Sequence, residues 1–186
     1  MPFGCIVPGK TGKNMKNTLK IIAIILGAVV LDQVSKGILV YLLIGGVPTF
    51  GSAFKMIPYP YMMARVTEWF NIVFTWNPGT SFSLFRNLGE AAPMVIIVMT
   101  GVVIGALGYY LFARAEKQYE RVALALIVGG ALGNLIDRVR FGAVIDFLDL
   151  HWKTWHWPAF NIADVCITVG AVVLIVGWIF GRKVKK

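Results

Sequence analysis

Two carboxylates, Asp146 in "AVIDFLDL" and Asp164 in "FNIAD", lie 18 positions apart with a tryptophan-rich loop between them. Held close in a partly desolvated site, two such groups cannot comfortably both ionise, so one keeps a proton. The pair then supplies a general base to activate water and a general acid to polarise a carbonyl, which is the chemistry of hydrolysis without a covalent acyl-enzyme. Asp164 also has a plainer reading. Asn161 can cap a helix, and an acidic side chain at the third helical position suits the positive end of the helix dipole. Asp149 competes with Asp146, but at odd spacing along a strand it should face the other way.

The elements that must position these groups follow from composition. Of 186 residues 58% are hydrophobic and 15% charged, with a mean hydropathy of +0.73, against roughly 25% charged in soluble domains. This is the composition of an integral membrane protein. Four segments, about 19–44, 93–113, 121–139 and 162–181, approach the roughly 20 helical residues that cross a bilayer. Eleven of the 18 Lys and Arg flank them at sites that share one side if every segment spans: Lys10, Lys13, Lys16 and Lys20, then Arg114, Lys117 and Arg121, then Arg182, Lys183, Lys185 and Lys186. The positive-inside rule puts both termini in the cytoplasm and the connections 45–92 and 140–161 outside. The net charge of +9 is thereby assigned to topology rather than to nucleic acid. A cleavable signal peptide is disfavoured, because the first apolar run is too long and carries Asp32 and Lys36. The expected organisation is an all-α membrane protein, a four-helix transmembrane bundle in one domain over 19–181. A flexible basic tail covers 1–18 and a short basic tail 182–186.

The outer connections add a small β-hairpin and an interfacial loop. Residues 68–76, "EWFNIVFTW", read as a strand, "NPGT" at 77–80 as a turn and "SFSLF" as a second strand. Trp152, Trp155 and Trp157 suit the headgroup level. Within the spans, Asp32 and Lys36 lie four apart on one helix face and can neutralise one another. Gly129, Gly130 and Gly133 leave space beside Asn134, Asp137 and Arg138, where something polar is expected to dock. Cys5 and Cys166 are too far apart in sequence and context for a disulfide framework. His151 and His156 form no HExxH pattern, so neither a metal nor another cofactor is expected.

Five blocks then stand in order: "DQVSK" at 32–36, "NPGTSFS" at 77–83, "GGALGNLIDR" at 129–138, "VIDF" at 144–147 and "FNIAD" at 160–164. In these the chain resembles the bacterial lipoprotein signal peptidases (signal peptidase II), intramembrane aspartic peptidases, over about residues 17–181. The stretch between the first two blocks is longer than that family's pattern. The resemblance implies that Asp146 and Asp164 are the catalytic dyad and that Asp32, Lys36, Asn77, Gly79, Gly130, Asn134 and Arg138 shape the site or contact substrate, with Asn161 of the last block beside them. It implies removal of the signal peptide from prolipoproteins by cleavage before a diacylglyceryl-modified cysteine. The enzyme would act on lipid-borne substrates in the bacterial inner membrane, with its site on the outer side, as a monomer. Two other classes compete: a small proton-coupled transporter or channel, which would string polar residues at several depths, and a scaffold protein, which leaves the paired aspartates without a purpose.

Overall fold

The computed structural model describes residues 10–44, 62–79, 89 and 91–181. The apolar runs form four helices, α1 (Lys10–Ile44), α2 (Ala92–Ala113), α3 (Gln118–Phe141) and α4 (Ile162–Gly181). All four are long and apolar enough to cross a membrane. Helix α1 starts at Lys10, inside the stretch expected to be a tail, since no proline interrupts the chain between Pro8 and Pro48. Pro93 sits in the first turn of α2, where its missing N–H costs no hydrogen bond.

Helix α3 is the most buried span and packs against the other three. Its small side chains explain this. A Cβ at Gly129 would come within 2.8 Å of the Ala28 Cβ on α1, and one at Gly130 would collide with the Ala163 carbonyl on α4. The glycines read as room for a ligand are therefore filled by neighbouring helices, because bare backbone is what lets helices approach this closely. Near one end of the bundle Ile21 of α1, Leu111 of α2 and Leu124 of α3 share a buried cluster, with Leu174 of α4 against it. The start of α1, the link between α2 and α3 and the end of α4 therefore lie at the same end.

A four-stranded antiparallel sheet closes the other end: β1 (Met62–Arg65), β2 (Phe70–Asn77), β3 (Val144–Trp152) and β4 (Trp155–His156), in that order. Strand β2 begins slightly later than expected and forms a hairpin with the preceding β1; the second strand expected at "SFSLF" lies outside the described residues. The turn at 66–69 closes the hairpin, with the N–H groups of Val66 and Thr67 donating to the Phe70 carbonyl at 3.2 and 2.9 Å. On its other edge β2 pairs with β3, matching Asn77 with Val144 and Thr75 with Asp146, and a bulge lies between Ile72 and Thr75. Phe74 and Ile145 of the sheet bury against Val40 of α1 and Phe141 of α3, seating the sheet on the bundle. Gly142, in the left-handed conformation at φ 77°, ends α3 and turns the chain into β3.

Candidate functional site

Asp146 and Asp164 meet because the chain returns from β4 along β3. Phe160 pairs with Leu148, its N–H donating to the Leu148 carbonyl at 3.0 Å and its carbonyl accepting from the Leu148 N–H at 2.8 Å. This sets Asn161 beside Asp146 just before α4 begins. Asn161 is fully buried, and its Nδ2 donates to Asp146 Oδ1 at 2.6 Å. Its Oδ1 accepts the Asp164 N–H at 3.0 Å, and its own N–H donates to Asp164 Oδ2 at 3.1 Å. The reciprocal Asn161–Asp164 contacts form a capping box. Asp164 is thus a helix-start device, and the same residue that caps the helix links it to the second carboxylate.

Each carboxylate has one further amide. Asn77 Nδ2 donates to Asp146 Oδ2 at 2.9 Å, and Asn77 Oδ1 accepts the Gly79 N–H at 2.9 Å, which aims the amide. Gly79 sits at φ 74°, the left-handed conformation this turn requires. Asn134 Nδ2 donates to Asp164 Oδ1 at 2.8 Å. Burial pushes Asp146 up from the usual 3.8 to about 6, with the negative charge of Asp164 adding to the rise while the amides of Asn77 and Asn161 oppose it. Because the native value lies above the unfolded one, this residue's contribution to stability is fully present below about pH 4 and is lost as pH rises through about 6. At neutral pH the carboxylate costs stability where it stands, which is common for a functional group and unhelpful in a structural one.

Beneath the pair lies a buried ion cluster. Lys36 Nζ contacts Asp32 Oδ2 at 2.7 Å and Asp137 Oδ2 at 2.8 Å, all three side chains being at most 3% exposed. It also donates to Asn134 Oδ1 at 3.3 Å, as Asn161 Nδ2 does at 3.1 Å, so the amide of Asn134 is turned with its nitrogen toward Asp164. Asp32 Oδ1 accepts the N–H of Ala163 at 3.0 Å and so holds the start of α4 against α1. The expected Asp32–Lys36 pairing is present, but the lysine is shared. Asp137 is the partner not anticipated among the site residues, although its spacing from Gly133 and Asn134 places it on their helix face. Gln33, whose Nε2 donates to Asp137 Oδ1 at 2.8 Å, carried no comparable signal.

Gly130 does not line this site; it lets the first turn of α4 approach α3. Gly133 similarly faces the Asp32 carboxylate, where a Cβ would come within 2.6 Å of Oδ2. Arg138 lies within electrostatic reach of Asp164, Asp146 and Asp137, donates to the Asn134 carbonyl at 3.4 Å, and keeps a buried Nε with no partner. Asp149 binds Asn71 Nδ2 at 2.8 Å and His156 Nδ1 at 2.9 Å and makes no contact of this kind with Asp164. Those partners hold it below the usual carboxylate range against the opposing effect of burial. Among the described residues no group of three His, Cys, Asp or Glu is arranged to hold a metal ion.

Two hollows adjoin the carboxylates. A cleft of about 520 Å³ lined by Thr75, Asn77, Asp146, Asp149, His156 and Trp157 lies on the Asp146 side. A mainly apolar groove of about 350 Å³ lined by Leu150, Trp157, Phe160, Asp164, Val165, Thr168 and Val169 lies on the Asp164 side. Trp157 stands between them.

Four apolar helices and a carboxylate pair capped by a small sheet define a multi-pass membrane protein with a polar site at one end of its bundle. The family described as Signal peptidase (SPase) II matches residues 24–180. The chain belongs to the signal peptidase II family, and it is a peptidase by that membership. The lipoprotein signal peptidase of Geobacter sulfurreducens is 40% identical over 173 residues, covering 92% of this chain and 99% of that one. The one from Syntrophotalea carbinolica is 38% identical over 147 residues, covering 79% and 83%. A solved structure described as a bacterial membrane enzyme aligns with a TM-score of 0.66 at 30% identity, covering 90% of this chain and 92% of that one. Nothing in these relationships supports a transporter.

Proposed function

We propose that this chain removes the signal peptide from prolipoproteins as an aspartic peptidase, cutting before a diacylglyceryl-modified cysteine. The observation that carries the reading is Asn161, which ties Asp146 at a polar cleft to Asp164 at an apolar groove. A scissile bond between the two carboxylates has polar space for peptide on one side and apolar space for acyl chains on the other. Asp146, whose burial favours the protonated form, donates a hydrogen bond to the scissile carbonyl. Asp164 takes a proton from water as the hydroxyl adds to the carbonyl carbon. The carbonyl oxygen takes the Asp146 proton, giving a neutral tetrahedral diol. Collapse breaks the C–N bond, the proton held by Asp164 passes to the departing amine, and a diol proton returns to Asp146. Asn77, Asn134 and Asn161 orient the pair, Asp32 and Lys36 support it from α1, and Arg138 lends positive charge to both carboxylates. The test is turnover by the purified chain of one precursor with and without its diacylglyceryl group. Cleavage of the lipidated form alone is expected, and equal cleavage of both would remove the lipid from the reading.

The same proposal places residues 19–181 as one domain in the bacterial inner membrane, with both termini cytoplasmic and the sheet outside, working as a monomer in contact with membrane lipid. The basic flanks at one bundle end support this orientation. Cysteines introduced in the 115–119 link should be shielded from an impermeant thiol reagent in intact cells, and ones near positions 55 or 153 should react. Labelling of the 115–119 link from outside would invert the arrangement.

A further inference from the structure

At the bundle end opposite Asp146 and Asp164, α2, α3 and α4 leave a groove of about 380 Å³ between Tyr110, Tyr119, Leu124, Leu174 and Trp178. Its walls are apolar and aromatic. The floor is set by close packing, since the Tyr119 ring lies over Gly177 where any Cβ would collide with it. Its rim is basic. Lys117 Nζ stands 5.5 Å from the Tyr119 ring centroid, with its side chain 54% exposed. Arg121 follows four residues later and precedes Leu124 by three, so it shares their helix face, and its Nε is buried without a hydrogen-bond partner. Glu120 also lines the groove, but its carboxylate already meets Lys117 at 4.0 Å and the Tyr119 hydroxyl at 3.3 Å. In sequence, Arg182, Lys183, Lys185 and Lys186 follow directly on α4.

We propose that this groove holds one anionic phospholipid, an acyl chain against Leu124, Leu174 and Trp178 and the phosphate at Lys117 and Arg121. An apolar slot with Lys117 at its mouth and Arg121 on the same helix face matches that ligand in both parts. A buried guanidinium N–H without an acceptor is what a phosphate oxygen completes. A net negative headgroup is favoured over a zwitterionic one because Arg121 makes no ion pair among the described residues. The site is at the other end of the bundle from the carboxylates. It rests on the membrane reading and is independent of the peptidase chemistry.

Of the six tryptophans, five (Trp69, Trp76, Trp152, Trp155 and Trp157) belong to the sheet end or its loops, so Trp178 alone reports on the groove. The full chain is reconstituted in phosphatidylcholine vesicles doped with equal fractions of acyl-brominated phosphatidylglycerol or acyl-brominated phosphatidylcholine. The fluorescence of Trp178→Phe is subtracted to isolate the Trp178 emission. Half-quenching should need about fivefold less brominated phosphatidylglycerol than brominated phosphatidylcholine, and the preference should vanish in Lys117→Gln/Arg121→Gln. Precursor cleavage by that variant should remain at the wild-type rate, which shows it folded and separates this outcome from any failure of the peptidase reading. Equal quenching by the two lipids overturns the proposal. So does a preference that survives the double substitution or is abolished by millimolar inorganic phosphate.

Discussion

Asp146→Asn and Asp164→Asn should each lose cleavage of a diacylglyceryl-modified precursor by about 10³-fold or more, and the double variant should be scarcely worse than either. The non-additivity is the informative part. Asn161 bonds both carboxylates, and the proposed reaction needs one of them protonated and the other ionised, so removing either removes the pair. Asn is close in size to Asp and at position 146 keeps one of the two acceptors that the Asn77 and Asn161 amides use, so the fold should survive. The kcat/KM profile of the wild type should be bell-shaped, with apparent pKa values that belong to the pair. Its alkaline limb records loss of the shared proton. Because Asp164 contributes to the elevation of Asp146 to about 6, Asp164→Asn should lower the Asp146 titration, which isotope-edited infrared spectroscopy of the carboxyl band reads directly. Substantial turnover by a correctly inserted Asp146→Asn or Asp164→Asn protein would sink the aspartic mechanism. Asp164 would then be left with its capping role alone.

Lys36→Met should be the most destabilising single change in the bundle, at about 3–5 kcal/mol. It leaves Asp32 and Asp137 facing each other without a cation, at 0% and 1% exposure. It also removes one of the two donors to Asn134 Oδ1, leaving Asn161 Nδ2 at 3.1 Å, so the amide that holds Asp164 is less firmly oriented and cleavage should fall with stability. Asp32→Asn is milder, because a single Lys36–Asp137 pair remains and the Asn oxygen can still accept from the Ala163 N–H. Removing all three charges together, Asp32→Asn, Lys36→Met and Asp137→Asn, should recover much of the stability lost by Lys36→Met alone, since a fully neutral cluster has no ion to desolvate. Thermal unfolding in one detergent compares the three variants. A Lys36→Met protein that melts with the wild type would show that the cluster is not the coupled unit its distances describe.

The amino-acid sequence by itself determined what depends on local composition. The four spans are legible because a helix must satisfy its own backbone in hydrocarbon, which only long apolar runs do. The Asp32–Lys36 contact is legible because a helix puts residues four apart on one face. The two candidate carboxylates stood out because charge is rare in such a chain. Tertiary structure decided how donors and acceptors are shared. Asn161 could be read as a cap, but its amide reaches Asp146 only because Phe160 pairs back onto β3. Lys36 belongs to Asp137 as much as to Asp32 only because α1 and α3 pack closely enough to present both carboxylates to one ammonium. The same packing turned Gly129, Gly130 and Gly133 from expected ligand space into helix contacts, and the turn at 66–69 paired β1 with β2. Periodicity records which face a residue occupies on its own element. Which groups meet across elements depends on helix spacing and loop closure, and those are set by the whole chain.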